Sequence, residues 1–549
     1  MGLVRDRLLS VIADAAGIES DKIKIEHPEV EEYGDYSTNV ALIVKGGRQV
    51  AEEIAAKIKS DDLIEQVNVA GPGFINIKLN QKVFIDTLID INTQKDWFGD
   101  NQTGAGKTFV IDYSAPNIAK QFGIGHLRST IIGQAIYNLY KSSGYKTIGD
   151  NHLGDWGTQF GKLLYMIDKS GQKTYDLEQL EKWYVEFHKA AETDKALEEE
   201  ARKWFVRLEN GDAQAREMWK KCVEVSMAEF EKIYDLLGVK IDYVYGESFY
   251  EEMMKDVIEE AKKSGVAKLS DGAWVIEVAG FETPLMLLKS DGGTTYATRD
   301  LATLKFRRDT WNPDVVVYEV GAEQELHFRQ LFAAASMLGY VKPETKLVHT
   351  KHGLYLGTDG KKFRTRGGNT VKLMEVLEEA IEKAKELGCK DEKLATKVGV
   401  GAIKYFDLLH NIQNNIVFDW SKVMALDGNS GPYLQYTYAR TQSVINKSKA
   451  EKSDLLPNYK TNKEEQSVLR WIYRYPEVME EATIRLAPNL LCNFLHELAQ
   501  RFNTFYNQHS ILGDKDEETV NFRLELTRAV GQVLKNGLGI LGIEAVEKM

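Results

Sequence analysis

The chain has 549 residues, 43% of them hydrophobic, and carries 70 Lys and Arg against 82 Asp and Glu, a formal charge of −12. A chain this long buries several cores and is expected to form three or four domains, and its acidic excess excludes indiscriminate nucleic-acid binding, which needs Lys and Arg to neutralise phosphates. No apolar run approaches the roughly 18 residues of a membrane span, the opening MGLVRDRLLSVIADAAG is amphipathic, and Cys222, Cys389 and Cys492 show no CxxC spacing, so a cytoplasmic protein without a membrane anchor, disulfide framework or zinc site is expected.

In chain order, residues 1–106 read as a small α/β domain: a first helix, a second near Val50 to Ile58, and strands around VNVAGPGFINIKL. The stretch GDNQTGAGKT is a glycine-rich linker. Its GAGKT imitates a phosphate loop, but Asn101 stands where the first glycine is required and a strand follows Thr108. Residues 107–370 alternate strands and helices as a doubly wound, Rossmann-like parallel sheet with insertions, the charged stretch near Tyr175 to Asn210 being one. In FVIDYSAPNIAKQFGIGHLRSTIIGQAIY a short strand leads through Gly123 and Gly125 into a helix expected just beyond His126. Glycines let a ligand approach the backbone, a helix N-terminus favours phosphate, and His126 can donate to it.

In SDGGTTYATRDLATLKFR, Tyr296 and Asp300 lie four residues apart and share one face if the helix has begun by Tyr296. A carboxylate beside an aromatic face suits a guanidinium ligand; an exposed Asp300 paired with Arg299, beside a half-buried Tyr296, is the structural alternative. GLYLGTDGKKFRTRGGNTVKL reads as a hairpin turning at Asp359-Gly360, followed by a cationic loop with Lys361, Lys362, Arg364 and Arg366. Residues 371–430 form a helical connecting region, with Met374, Leu377, Ile381 and Ala384 as the expected apolar stripe, and 431–549 an all-α domain whose likeliest loop is Lys447 to Gln466. From Gly431 to Met549, 15 Lys and Arg balance 15 Asp and Glu, the least repulsive surface for RNA.

SAPNIAKQFGIGHLRST is similar to the nucleotide-binding signature of class I aminoacyl-tRNA synthetases, and its PNIAK and LRST flanks resemble arginyl-tRNA synthetases in particular. YATRDLAT resembles that family's arginine pocket, GAEQELHFRQLF its next strand-to-helix element, and KKFRT its KMSKS loop. NHLGDWGTQFG and the segment from Phe205 to Val239 are similar to its core and insertions, ALDGNSGPYLQYTYAR and LHELAQRFNTFYNQHSILG to its anticodon-binding domain, and EYGDYSTNVAL to its additional N-terminal domain. The resemblance covers essentially the full chain.

It implies a monomeric, ATP-dependent ligase for L-arginine and tRNA(Arg), with Mg²⁺ accompanying ATP. Catalysis would fall to His126, Lys120, Lys361 and Arg364, ATP binding also to Gly123, Gly125 and Lys362, and arginine to Asn117, Asn151, Tyr296, Asp300 and Gln324. Tyr36 and Asn39 would meet the outer corner of tRNA, with Arg501 and Gln508 facing RNA while Phe502, Phe505 and Tyr506 pack as core. Gly123 stands where the first histidine of the HIGH signature is expected, and Arg364 where the second KMSKS lysine is. Lys120, three residues before Gly123, is the expected replacement donor. Those departures also motivate a second possibility, a catalytically silent tRNA-binding relative; another class I synthetase fits less well with a carboxylate at position 300 and no cysteine zinc spacing.

Overall fold

Phe109 and Ile111 pack into one core while Val110, between them, packs into another on the opposite side. This period-two burial follows from the position of their strand, Thr108–Asp112, inside an all-parallel sheet covered on both faces. The computed structural model describes residues 3–357, 359–361, 363, 371–448 and 459–549. Its parallel sheet runs Lys346–His349, Val315–Tyr318, Thr108–Asp112, Lys146–Asp150. The chain moves from Thr108–Asp112 outward to Lys146–Asp150, then returns on the other side as Val315–Tyr318. The order therefore reverses at Thr108–Asp112, and the crevice beyond the carboxyl ends there is the ligand position expected of a doubly wound fold.

The insertion consists of helices Leu177–Thr193, Ala196–Glu209 and Ala213–Leu237, and an antiparallel meander, Ala267–Ser270, Ala273–Ile276 and Leu285–Leu288, follows it. The meander had no counterpart in the sequence reading. Its turn residues Asp271 and Gly272 both have positive φ, the Asp-Gly hairpin signal.

The N-terminal residues form a four-stranded antiparallel sheet with helices Val4–Ala16 and Gly47–Lys57, and helix Gln81–Gln94 then packs on Glu517–Ile540 near the C-terminus. In the linker a Cβ on Gly104 would lie 1.9 Å from the Tyr145 ring, so this glycine serves packing. From Leu373 onward every secondary-structure element among the described residues is a helix except the two-residue strand Ile416–Val417. The stripe on Leu373–Glu386 is displaced from expectation: Leu373, Val376, Leu377, Ala380 and Ala384 are buried, whereas Met374 and Ile381 are at the edge. Part of the expected C-terminal loop is helix Lys463–Ile472; residues 449–458 lie outside the described ones.

Two buried cations tie these layers together. Arg307 is fully buried and bonds Asp112 at 2.6 Å and Asp150 at 2.8 Å, at the ends of the two strands that carry them. Lys404, on helix Glu392–Leu408, donates to the carbonyls of Leu237, at 2.6 Å, and of Gly542.

Candidate active site

Beyond Asp112 the chain turns sharply over the sheet. Ser114, Ala115 and Ala119 all adopt positive φ, strain of about 1–3 kcal/mol each for non-glycine residues. Side chains hold it: Asn151 Oδ1 accepts from the Ala115 N–H at 3.0 Å, and Ser226 Oγ from the Ala119 N–H at 2.9 Å. Asn151 is fully buried, and its amide donates to the Tyr234 hydroxyl at 2.9 Å. Expected on the substrate, it is instead a strut under the turn. Asn117 is exposed on the same turn.

The helix begins earlier than expected, running Ile124–Ser142 with Gly123 as its N-cap, so Gly125 and His126 lie on its first turn. Gly123 is buried. Gly125 is exposed, and a Cβ there would meet nothing within 4 Å. His126 Nδ1 accepts from the Gly123 N–H at 3.1 Å, which places the imidazole proton on Nε2 as a donor. Lys120 is exposed, its ammonium 5.3 Å from the Tyr184 ring centroid on the insertion.

The chain reverses at Asp359-Gly360 as expected, with the Gly357 N–H on the Lys361 carbonyl at 2.8 Å and the Phe363 N–H on the Tyr355 carbonyl at 3.0 Å. Lys361 is exposed; Lys362, Arg364 and Arg366 lie outside the described residues. The chain is back at Val371, whose carbonyl accepts from Ile124 at 3.0 Å, and the Leu373 N–H donates to Phe122 at 2.8 Å. Beneath both halves sits Arg128, which is 1% exposed. It reaches Asp407 at 3.3 Å and the carbonyls of Asn414 at 2.7 Å and Ile412 at 3.2 Å, while the Tyr355 hydroxyl bonds the same Asp407.

Tyr296 opens helix Tyr296–Trp311, so Tyr296 and Asp300 do share a face, and Arg307 two turns later anchors that helix to the sheet. Tyr296 is 73% exposed, with the Arg299 guanidinium carbon 5.8 Å from its ring centroid. Asp300 does not pair with Arg299, which is held by Glu251 at 3.0 Å and Glu247 at 3.4 Å. Its partner is His327 Nε2 at 2.5 Å. Burial pushes the Glu247 carboxyl up to about 7, with Arg299 and His152 opposing and Asp155 and Asp300 adding. Gln324 is exposed at the end of Ala322–Gln324, one turn before His327.

The RNA-facing expectations fare less well. Tyr36 is 1% exposed, and its hydroxyl bonds Glu477 at 2.5 Å, so it seals the seam between the N-terminal sheet and helix Tyr475–Arg485. Arg501 is engaged at the same seam, on Glu31 at 3.0 Å and Ser467 at 2.5 Å. Asn39 is half-buried and Gln508 exposed. Phe502 and Phe505 are core, whereas Tyr506 is partly exposed under Arg440. Glu247, His327 and Arg128 had no role assigned from the sequence: Arg128 lies in the LRST flank and His327 in GAEQELHFRQLF, but their partners Asp407 and Asp300 are distant in the chain, and Glu247, 49 residues before Tyr296, belongs to no motif. Among the described residues no group of three or more His, Cys, Asp or Glu could hold a metal, and no helix is long and apolar enough to cross a membrane.

Three family models match: tRNA synthetases class I (R), catalytic domain, over residues 87–420; DALR anticodon binding domain over 434–549; and Arginyl tRNA synthetase N terminal domain over 3–79. The arginine–tRNA ligase of Halothermothrix orenii is 38% identical over 99% of this chain and 98% of its own length. That of Chloroflexus aurantiacus is 40% identical over 91% and 90%. The arginyl-tRNA synthetase structure from Plasmodium falciparum superposes with a TM-score of 0.86 at 25% identity, covering 100% of both chains.

Proposed function

The chain belongs to the class I arginyl-tRNA synthetases and catalyses ATP-dependent attachment of L-arginine to tRNA(Arg), releasing AMP and diphosphate; we propose the following division of that work among its residues. ATP, as its Mg²⁺ complex, lies across the first turn of Ile124–Ser142. The open backbone at Gly125 and the Nε2–H of His126 face its phosphates. Lys361, Lys362 and Arg364 stabilise the charge on the leaving diphosphate, and Lys120 supplies further positive charge. The arginine carboxylate attacks the α-phosphorus in line, the bond from that phosphorus to the bridging oxygen breaks, and diphosphate leaves. The terminal adenosine hydroxyl of the tRNA then takes the arginyl group and AMP departs. Positioning and charge stabilisation suffice, with no covalent enzyme intermediate.

Asp300 and Glu247 accept the substrate guanidinium, Tyr296 stacks on its plane, and Gln324 and Asn117 complete the pocket. Residues 1–106 and 431–549 hold tRNA around the catalytic 107–370, joined through 371–430, in a cytoplasmic monomer that uses no structural zinc. Asn39 and Gln508 are the RNA contacts kept from the sequence reading.

The observation that supports this reading is the main-chain bonding of Val371–Leu373, which follow Lys361 and Arg364 in sequence, to Phe122–Ile124 at the start of the helix that carries His126. The test is tRNA charging with each of the twenty amino acids, alongside diphosphate exchange with and without tRNA. Arginine alone should be used, and its activation should require tRNA. Asp300→Asn should raise the arginine KM roughly 10- to 150-fold, the loss of a hydrogen bond to a charged group worth about 1.5–3 kcal/mol. An unchanged KM removes Asp300 from the pocket.

A further inference from the structure

Asp300 and His327 sit on different helices, Tyr296–Trp311 and Glu325–Met337, and their side chains are 22% and 26% exposed. An aspartate so placed would ordinarily sample several rotamers in water. Here Oδ2 is 2.5 Å from Nε2 of His327. Since an ionised carboxylate only accepts, Nε2 must carry the proton in this pair. The neighbouring cation that could compete, Arg299, is turned away to Glu247 and Glu251. Gln324, the N-cap of the helix that carries His327, precedes it by three residues.

We propose that His327 is a positioning residue for arginine recognition: its Nε2–H holds one oxygen of Asp300, so that the other oxygen and the Tyr296 ring meet the guanidinium in a fixed geometry. The inference rests on the reading of Asp300 as the guanidinium acceptor. Its physical content is preorganisation: a carboxylate ordered before substrate arrives loses less rotamer freedom on binding. The bond also links the helix bearing Tyr296 and Asp300 to the helix that Gln324 caps.

The experiment is steady-state aminoacylation by His327→Ala, His327→Gln, Asp300→Asn and the double variant Asp300→Asn/His327→Ala, with arginine and ATP varied separately. His327→Ala should raise the arginine KM by roughly tenfold while the ATP KM and kcat stay within about twofold. His327→Gln should recover most of that loss, because the glutamine amide donates at similar reach. The double variant should be no worse than Asp300→Asn alone, since the histidine then has no carboxylate to hold. If Asp300→Asn raises the arginine KM and His327→Ala does not, the positioning role is wrong and the Asp300 reading survives. If Asp300→Asn itself leaves the arginine KM unchanged, that reading fails and takes the proposal with it. A parallel rise in the ATP KM, no recovery by Gln, or additive losses in the double variant would each overturn the role.

Discussion

Replacing Lys404 with Met tests whether the junction between the insertion, the connecting helices and the C-terminus really encloses an ammonium without a carboxylate. Burial lowers the Lys404 pKa to about 7 from its ordinary 10.5. Between those two values the unfolded chain holds a proton that the folded chain has released, so stability rises with pH across that window. Below about pH 7 both states are protonated and the folded state bears the full cost of the buried charge. At 1.36 kcal/mol per pKa unit that cost is about 5 kcal/mol, and the carbonyls of Leu237 and Gly542 return part of it, leaving about 2–5 kcal/mol. Lys404→Met removes the titration but strands the two carbonyls, a pH-independent loss of about 1–3 kcal/mol each. The informative quantity is therefore the difference in unfolding free energy between variant and parent, measured by urea titration at pH 6.5, 8 and 9.5. The variant should lose ground against the parent by a few kcal/mol as pH rises. A flat difference would mean that the ammonium is solvated or paired, and the reasoning fails.

Three further outcomes follow from contacts described above. Gly125→Ala meets no protein atom and sits within a helix, so stability should hold or rise by about 0.5–1 kcal/mol while the ATP KM increases; an unchanged ATP KM would take the phosphates away from this turn. Asp407→Ala leaves the buried Arg128 guanidinium without its counter-charge and should cost about 3–5 kcal/mol in urea unfolding, a loss below about 1 kcal/mol refuting the pairing. Tyr36→Phe should lower stability by about 1.5–3 kcal/mol by removing a buried hydrogen bond to Glu477, with little change in the tRNA KM; the reverse pattern would restore Tyr36 as an RNA contact.

Local chemistry was legible where it is written in consecutive residues. The apolar strand through Phe109, Val110 and Ile111, the glycine-led start of the next helix at Gly123, the Tyr296–Asp300 face and the Asp359-Gly360 reversal each depend on neighbours within one turn or strand. What failed depends on partners hundreds of residues away. Tyr36 sits in a polar stretch that looks exposed, and Glu477 buries it from 441 positions downstream. Asn151 follows a strand end as a ligand-binding amide would, yet the strained Ala115 backbone claims it. His327 and Glu247 reach Asp300 and Arg299 only once three separate helical segments meet, a convergence to which hydrophobic periodicity is blind.

The joint at Phe122–Ile124 has an evolutionary reading. Among the described residues, the hydrogen bonds that seat Val371–Leu373 on the turn run from main chain to main chain, so the joint forms without a side chain at position 123. A lineage can therefore trade away the first histidine of the signature without unhitching the two segments from each other. In the proposed division of work the loss is one donor's share of the phosphate contacts, and Lys120, three residues earlier, is the cation within the same turn.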